Sequence, residues 1–322
     1  MIKVDHVTKT FGPKRAVDDL SFAVERGEVL GFLGPNGAGK STTMRMITGF
    51  IPVDAGGVSV CGFDIAAQPI DARRRIGYLP ESAPTYTDMS VNSFLGWAAE
   101  MRGLSGDAKK KAVHRAIELC SLGSVVYQSI DTLSKGFRHR TCLAQAILHD
   151  PEVLIMDEPT DGLDPNQKHE IRSLIRRMSP NKAIIFSTHI LEEVEAVCTR
   201  AIIIDRGRMV ANGTPSELKA KSDRAGAVLV MVRGAASQAV TDTLGRVPGV
   251  ARAELVATEQ DCTTVRAYPQ QGSMNGALAA VITKGLSATG WAIDGLQTEE
   301  GRLDDVFRLL TRPDTPATVA KS

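Results

Sequence analysis

Cysteine is scarce in this 322-residue chain: Cys61, Cys120, Cys142, Cys198 and Cys262 stand singly, with no CxxC pair among them. That spacing argues against a disulfide framework or a cysteine zinc site and suits a reducing compartment. Each thiol reads as a small buried apolar side chain. Long hydrophobic runs are missing as well; no apolar stretch approaches the roughly 20 residues needed to span a bilayer. The first residues, MIKVDHVTKTFG, carry no apolar segment behind the initial basic residue, so no secretory signal is expected. Charge of one sign is absent too. A net charge of +1 predicts no surface for nucleic acid or an anionic membrane. The chain shows no internal repeat and no low-complexity segment before its tail. No heptad run fits between Ser41 and Ser134.

What is present is ample core material, with 43% hydrophobic and 23% charged residues, in a length that suits two domains. In the first 220 residues, short apolar runs such as VLIMD, AIIFS and AIIID alternate with helical stretches. That pattern predicts an α/β domain with a mainly parallel sheet. Composition breaks over Lys221–Gly226. From 226 to 311 the order becomes strand, helix, strand, strand, helix, strand, with a last helix at Leu303–Thr311. A βαββαβ order predicts a small α+β domain of the ferredoxin-like kind. The tail 312–322 is polar and proline-containing, and is expected to be disordered.

The strongest local signal is GEVLGFLGPNGAGKSTTMRMITG. The run Val29–Leu33 reads as a buried strand, and Gly34-Pro35-Asn36-Gly37-Ala38-Gly39-Lys40-Ser41 fits GxxxxGK[ST] before a helix. Glycines let backbone N–H groups curl around a phosphate with no Cβ in the way. The helix that starts at Lys40 aims its positive end at the same anion. Lys40 reaches the terminal phosphates in such a loop, and the Ser41 hydroxyl, with Thr42 beside it, faces a Mg²⁺ ion. A nucleoside triphosphate with Mg²⁺ is therefore the expected ligand.

Further on, VLIMDEPTDGLDP ends a buried strand in two acids. Ligands of open α/β sheets bind at the carboxyl ends of the strands. Asp157 is placed there to hold Mg²⁺, and Glu158 to orient or deprotonate an attacking water. Strand AIIFS leads to Thr188-His189, which brings His189 to the same end. Asp164-Pro165 reads as an N-cap with proline at the first helical position.

One stretch remains odd. LSKGFRHR, Leu133–Arg140, opens a helix with Ser134 as an ordinary N-cap, yet puts Gly136 in the first turn, where it costs about 1 kcal/mol against alanine. The motif resembles the signature of ABC ATPases, and it precedes the Asp157-Glu158 strand as that family requires. The other family motifs fall in order: Phe11 resembles the aromatic that stacks on adenine, and Glu81 occupies the Q-loop position. Asp161–Asp164 resembles the D-loop, and Ser187-Thr188-His189 the switch histidine. The resemblance covers residues 1 to about 220 and is closest to the ATP-binding subunits of drug-resistance and gliding-motility-type exporters. LDDVFRLLT, from Leu303, is similar to the C-terminal extension of that branch.

The resemblance implies a P-loop ABC ATPase fold, with a mixed-sheet core, an antiparallel β subdomain and an α-helical signature subdomain. It also implies a head-to-tail homodimer in which Ser134 and Gly136 close on the γ-phosphate held by the other copy. Glu158, His189 and Lys40 are then the catalytic set. Asp157, Ser41 and Glu81 are the Mg²⁺ ligands. An integral membrane permease is the expected partner, gripped by the stretch from Glu81 to Arg102 with Tyr86 and Trp97. That would place the chain at the cytoplasmic face of the membrane. Glu81 stands where Gln is usual, as do Phe137 and His139, and Lys135 replaces the commoner glycine. The alternative reading is a soluble ABC-type ATPase of translation or DNA repair. Only one set of motifs is present, and no long coiled coil.

Overall fold

The computed structural model describes residues 1–82, 85–259, 261–270, 277–287 and 289–311. The tail expected to be disordered lies outside them, as does the beginning of the helix expected from Gly272. The chain divides into two compact units, one of Met1–Pro215 together with the residues from Leu310 on, the other of Ser216–Leu309.

In the first unit the strands are β1 (Ile2–Phe11), β2 (Lys14–Val24), β3 (Val29–Leu33), β4 (Ala55–Val60) and β5 (Phe63–Asp64), then β6 (Ile76–Leu79), β7 (Val153–Asp157), β8 (Ala183–Thr188), β9 (Arg200–Asp205) and β10 (Arg208–Gly213). The helices are α1 (Lys40–Ile47), α2 (Pro69–Arg74), α3 (Val91–Met101), α4 (Gly106–Leu119), α5 (Lys135–Ile147), α6 (Pro165–Met178) and α7 (Leu191–Val197).

A six-stranded sheet runs β10-β9-β3-β8-β7-β6, and a four-stranded sheet runs β2-β1-β4-β5. The larger sheet is parallel from β9 to β6 and closes with an antiparallel β10. Every residue of β3, β7 and β8 is buried, as expected of strands covered on both faces. Successive side chains alternate between two cores. Ile155 and Ile185 join Phe22, Phe32 and Met44 on the side of the antiparallel sheet. Leu154, Met156, Ile184 and Phe186 join Phe94, Leu95 and Leu143 on the side of α3, α4 and α5. An unbroken apolar run is thus the signature of two cores, one on each face.

The second unit begins in the short helix α8 (Pro215–Lys219), ahead of the composition break at Lys221–Gly226. It contains β11 (Val228–Arg233), α9 (Ser237–Gly245), β12 (Val250–Glu259), β13 (Cys262–Pro269), α10 (Ala277–Leu286), β14 (Ala292–Thr298) and α11 (Leu303–Leu310). Its sheet order is β12-β13-β11-β14, with every pair antiparallel. Val228, Val230 and Val232 pack with Val240 and Leu244 of α9 and Ile282 of α10, while Leu229 and Met231 on the opposite face are only half-buried. This is the βαββαβ arrangement expected from the sequence.

The five cysteines form no disulfide; Cys120 and Cys142 are buried, but Cys61, Cys198 and Cys262 are only partly so, short of the burial expected of every thiol. Burial pushes the thiols of Cys120 and Cys142 up to about 12, so neither is a nucleophile at neutral pH. Among the described residues no helix is long and apolar enough to cross a membrane.

Candidate nucleotide site

Between β3 and α1 the chain turns through Gly34–Gly39. Gly37 and Gly39 hold φ values of +78° and +109°, which L side chains rarely adopt. A Cβ on Gly34 would lie 2.6 Å from the Ile204 carbonyl, and one on Gly39 2.5 Å from the Ala16 carbonyl. Neither position can take a side chain. Gly39 caps α1 with no side-chain hydrogen bond, and the first turn has no acidic residue. The helix end therefore keeps its donors and its positive field for an external anion. Lys40 folds back along the loop, its Nζ donating to the Gly34 carbonyl at 2.7 Å and the Pro35 carbonyl at 3.3 Å. Burial lowers its pKa, while the charges of Glu158, Asp157 and Glu81 act against that shift.

A cavity of about 600 Å³ opens beside this loop. Asn36, Gly37, Gly39, Lys40, Ser41 and Thr42 line it from the loop and α1. Phe11 comes from the end of β1, Glu81 from beyond β6, Glu158 from beyond β7 and His189 from beyond β8. Gly34, Pro35 and Ala38 supply loop backbone without lining the cavity, and Asp157 sits buried at the end of β7. Phe11 is half exposed, with Lys9 Nζ over its ring 5.5 Å from the centre. Asp161, the first residue of the D-loop motif, also lines the cavity, as do Lys14 and Ala16, which local patterns did not single out.

Asp157 and Glu158 diverge because the backbone turns sharply between them. The Ser187 hydroxyl donates to Asp157 Oδ1 at 2.5 Å and accepts from the Glu158 N–H at 2.9 Å. Glu158 has φ +51°, a left-handed conformation that costs a non-glycine residue roughly 1–2 kcal/mol. The turn takes its side chain to His189, whose Nδ1 lies 2.9 Å from Glu158 Oε2. Burial raises the Glu158 pKa, and the charges of His189 and Lys40 work in the other direction.

Behind this pair lies Glu193 of α7, a residue the motifs do not include. It is 2% exposed, and its carboxylate accepts from the hydroxyls of both Thr160 and Thr188, the latter at 2.9 Å. Its position four residues past His189, on the inward side of α7, was the only signal available. Asp164 does cap α6, accepting from the Gln167 N–H at 2.9 Å ahead of Pro165.

The signature lies elsewhere in the unit. Ser134 caps α5, its Oγ accepting from the Phe137 N–H at 3.4 Å, a long bond that leaves most of the turn's donors free. Gly136 is buried against α6, where a Cβ would meet Gln167 Oε1 at 2.5 Å. Lys135 Nζ reaches Asp161 Oδ2 at 3.1 Å. His139 is packed with Nε2 unpartnered, and burial lowers its pKa. Neither Ser134 nor Gly136 lines the cavity that holds Lys40.

Further along, Tyr86 meets Trp97 edge-on at 4.8 Å, and Trp97 stacks on Phe94 at 6.2 Å. Tyr86 and Trp97 are both exposed, while Phe94 is buried. Ala83 and Pro84, within the stretch expected to grip a partner, lie outside the described residues.

Comparison with known proteins identifies the family of the chain. Residues 17–161 match the ABC transporter family. The linearmycin resistance ATP-binding protein of Bacillus subtilis is 38% identical over 220 residues, 68% of this chain and 70% of its own length. The Nod factor export ATP-binding protein I of Paraburkholderia xenovorans is 38% identical over 272 residues, 83% of this chain and 87% of its own. That alignment is longer than the first unit and so reaches into the second. A solved ATP-binding subunit of an ABC transporter superposes with a TM-score of 0.64 at 30% identity, covering 68% of this chain and 92% of that one. The chain belongs to the ABC transporter family, as an ATP-binding subunit with the fold and activity of an ABC ATPase.

Proposed function

We propose that the chain is the motor subunit of an exporter, working as a head-to-tail pair of copies beneath a separate membrane permease. One observation carries the reading: Phe11, Lys40, Glu158 and His189 share a cavity from which Ser134 and Gly136 are absent. Each cavity then awaits the signature of another copy.

In this mechanism ATP stacks its adenine on Phe11 and lays its phosphates along Gly34–Thr42. Lys40 exchanges the Gly34 and Pro35 carbonyls for the terminal phosphate oxygens. The donors in reach, the Ser41 hydroxyl and the carboxylates of Asp157 and Glu81, are all oxygen. That donor set fits Mg²⁺, which takes one or two carboxylates together with phosphate oxygens. When bound, the ion neutralises charge on the β- and γ-phosphates. Closure of the dimer brings the α5 N-terminus, with Ser134 and the Gly136 backbone, onto the γ-phosphate. Glu158 accepts the proton of the attacking water, and its raised pKa suits a base working nearer neutrality. His189, held at Glu158, steadies the transferring group. Preorganised charge at fixed positions supplies most of the rate.

Hydrolysis reopens the pair, and the stretch from Glu81 to Arg102 delivers that motion to the permease. Exposed Tyr86 and Trp97 suit a groove for a partner helix. Export, rather than import, is supported by what the relatives are named for and by the βαββαβ accessory domain that follows the cassette. The test is purification of the Glu158→Gln variant from gently solubilised cells with ATP present. A stoichiometric polytopic membrane protein is the expected companion. Ribosomes or DNA in its place would contradict the transport reading.

A further inference from the structure

We propose that Glu193 is a positioning residue for hydrolysis, tying the turn that carries Glu158 and Asp161 to the strand end that carries His189. The inference rests on the roles given above to Glu158 and His189. It starts from a closed ring of links. Glu158 Oε2 meets His189 Nδ1 at 2.9 Å, and His189 follows Thr188 in the chain. The Thr188 hydroxyl donates to Glu193 Oε2 at 2.9 Å, while the Thr160 hydroxyl donates to Glu193 Oε1. Thr160 then returns through Pro159 to Glu158. If the Glu193 link is cut, the β7–β8 ladder, the Ser187 bonds and the Glu158–His189 contact still join the two strand ends, but among the described residues no other hydrogen bond ties Thr160 to the residues that precede His189.

The cost of keeping a carboxylate there points the same way. Glu193 is 2% exposed, and among the described residues no cation pairs with it. Burying such a group is expensive unless its lone pairs are satisfied, and hydrogen bonds return only about 1 kcal/mol each. An apolar side chain would pack α7 against the core at lower cost, as Leu191, Val194 and Val197 do. What an apolar side chain cannot do is accept from two hydroxyls at once, one on the turn beyond β7 and one at the end of β8. Both threonines directly precede residues that line the nucleotide cavity, Asp161 and His189. A shift of about 1 Å in such groups costs on the order of 100-fold in rate.

The test is a double-mutant cycle in the full-length chain, reading ATP hydrolysis at saturating and limiting ATP together with ATP affinity. Glu193→Gln keeps the shape but accepts with one oxygen only. We expect kcat to fall about 10- to 100-fold with KM and ATP affinity nearly unchanged. In a His189→Ala background the same change should cost much less, because the strand end it aligns with the Glu158 turn no longer carries a reacting group. Should Glu193→Gln fail to fold, Thr160→Val and Thr160→Ser report on the same link: loss of kcat in the first, wild-type kcat in the second. Full kcat in Glu193→Gln, or an equal loss with and without His189, would overturn the proposal while leaving the site reading intact. Full kcat in His189→Ala alone would instead remove the histidine's role on which the proposal rests.

Discussion

The phosphate loop and the signature are both helix N-termini prepared for an anion, and they are prepared differently. The loop before α1 is closed on itself, with its buried lysine folded onto its own carbonyls and with Gly34 and Gly39 at positions no Cβ could occupy. The start of α5 is more exposed, capped through a long bond, and tethered by the exposed Lys135–Asp161 pair. One is a finished cradle within a single chain. In the proposed pairing, the other is half a site. Gly136 makes the difference concrete: its missing side chain makes room for Gln167 inside the unit.

The sharpest way to break this comparison is to disable each end separately. Lys40→Ala and Ser134→Ala should each lower hydrolysis by about 100-fold or more, as loss of a phosphate-directed donor does. They should part company in binding. Lys40→Ala loses ATP affinity in the monomer, whereas Ser134→Ala keeps it, as equilibrium binding at low protein concentration would show. Equal loss of monomer affinity in both would place the two ends in one site.

A smaller effect concerns pH. Burial raises the Glu158 pKa, so the general base is lost as pH falls through that raised value, and kcat should fall with it. Stability runs the other way. A carboxyl whose folded pKa is raised contributes stability at low pH that is lost as pH rises through the folded value. Glu158→Gln should therefore be inactive yet more stable than the parent at neutral pH, measured as a higher Tm. A lower Tm for that variant would contradict the burial argument. The smallest effect belongs to the tether. Lys135 and Asp161 are exposed, so Lys135→Met should change stability by no more than about 1 kcal/mol in denaturant unfolding. A larger loss would mean that the signature is held as firmly as the phosphate loop.

Much of this was legible in the chain itself, for a physical reason. A phosphate loop needs glycines at fixed spacing, and a strand buried on both faces needs an unbroken apolar run. Both requirements are local, so Gly34–Ser41 and Val153–Asp157 show themselves in sequence. The apolar run of β11 made the second sheet readable in the same way, although the short α8 that opens the second unit carries no change in composition. Other features depend on distant partners. Glu193 and Thr160 are 33 residues apart, and Lys135 and Asp161 are 26 apart. The left-handed backbone of Glu158 is held by Ser187 on another strand. No spacing rule records such pairs.

The decisive measurement mixes two inactive proteins. Lys40→Ala and Ser134→Ala chains are combined, and single-turnover hydrolysis of bound ATP is followed. If the loop of one copy works with the signature of another, the mixed pair contains one intact site, with Lys40 from one chain and Ser134 from the other. Hydrolysis should then return on mixing. If Lys40 and Ser134 of the same chain served the same ATP, every site in the mixture would lack one of them. The mixture would stay as inactive as its parts.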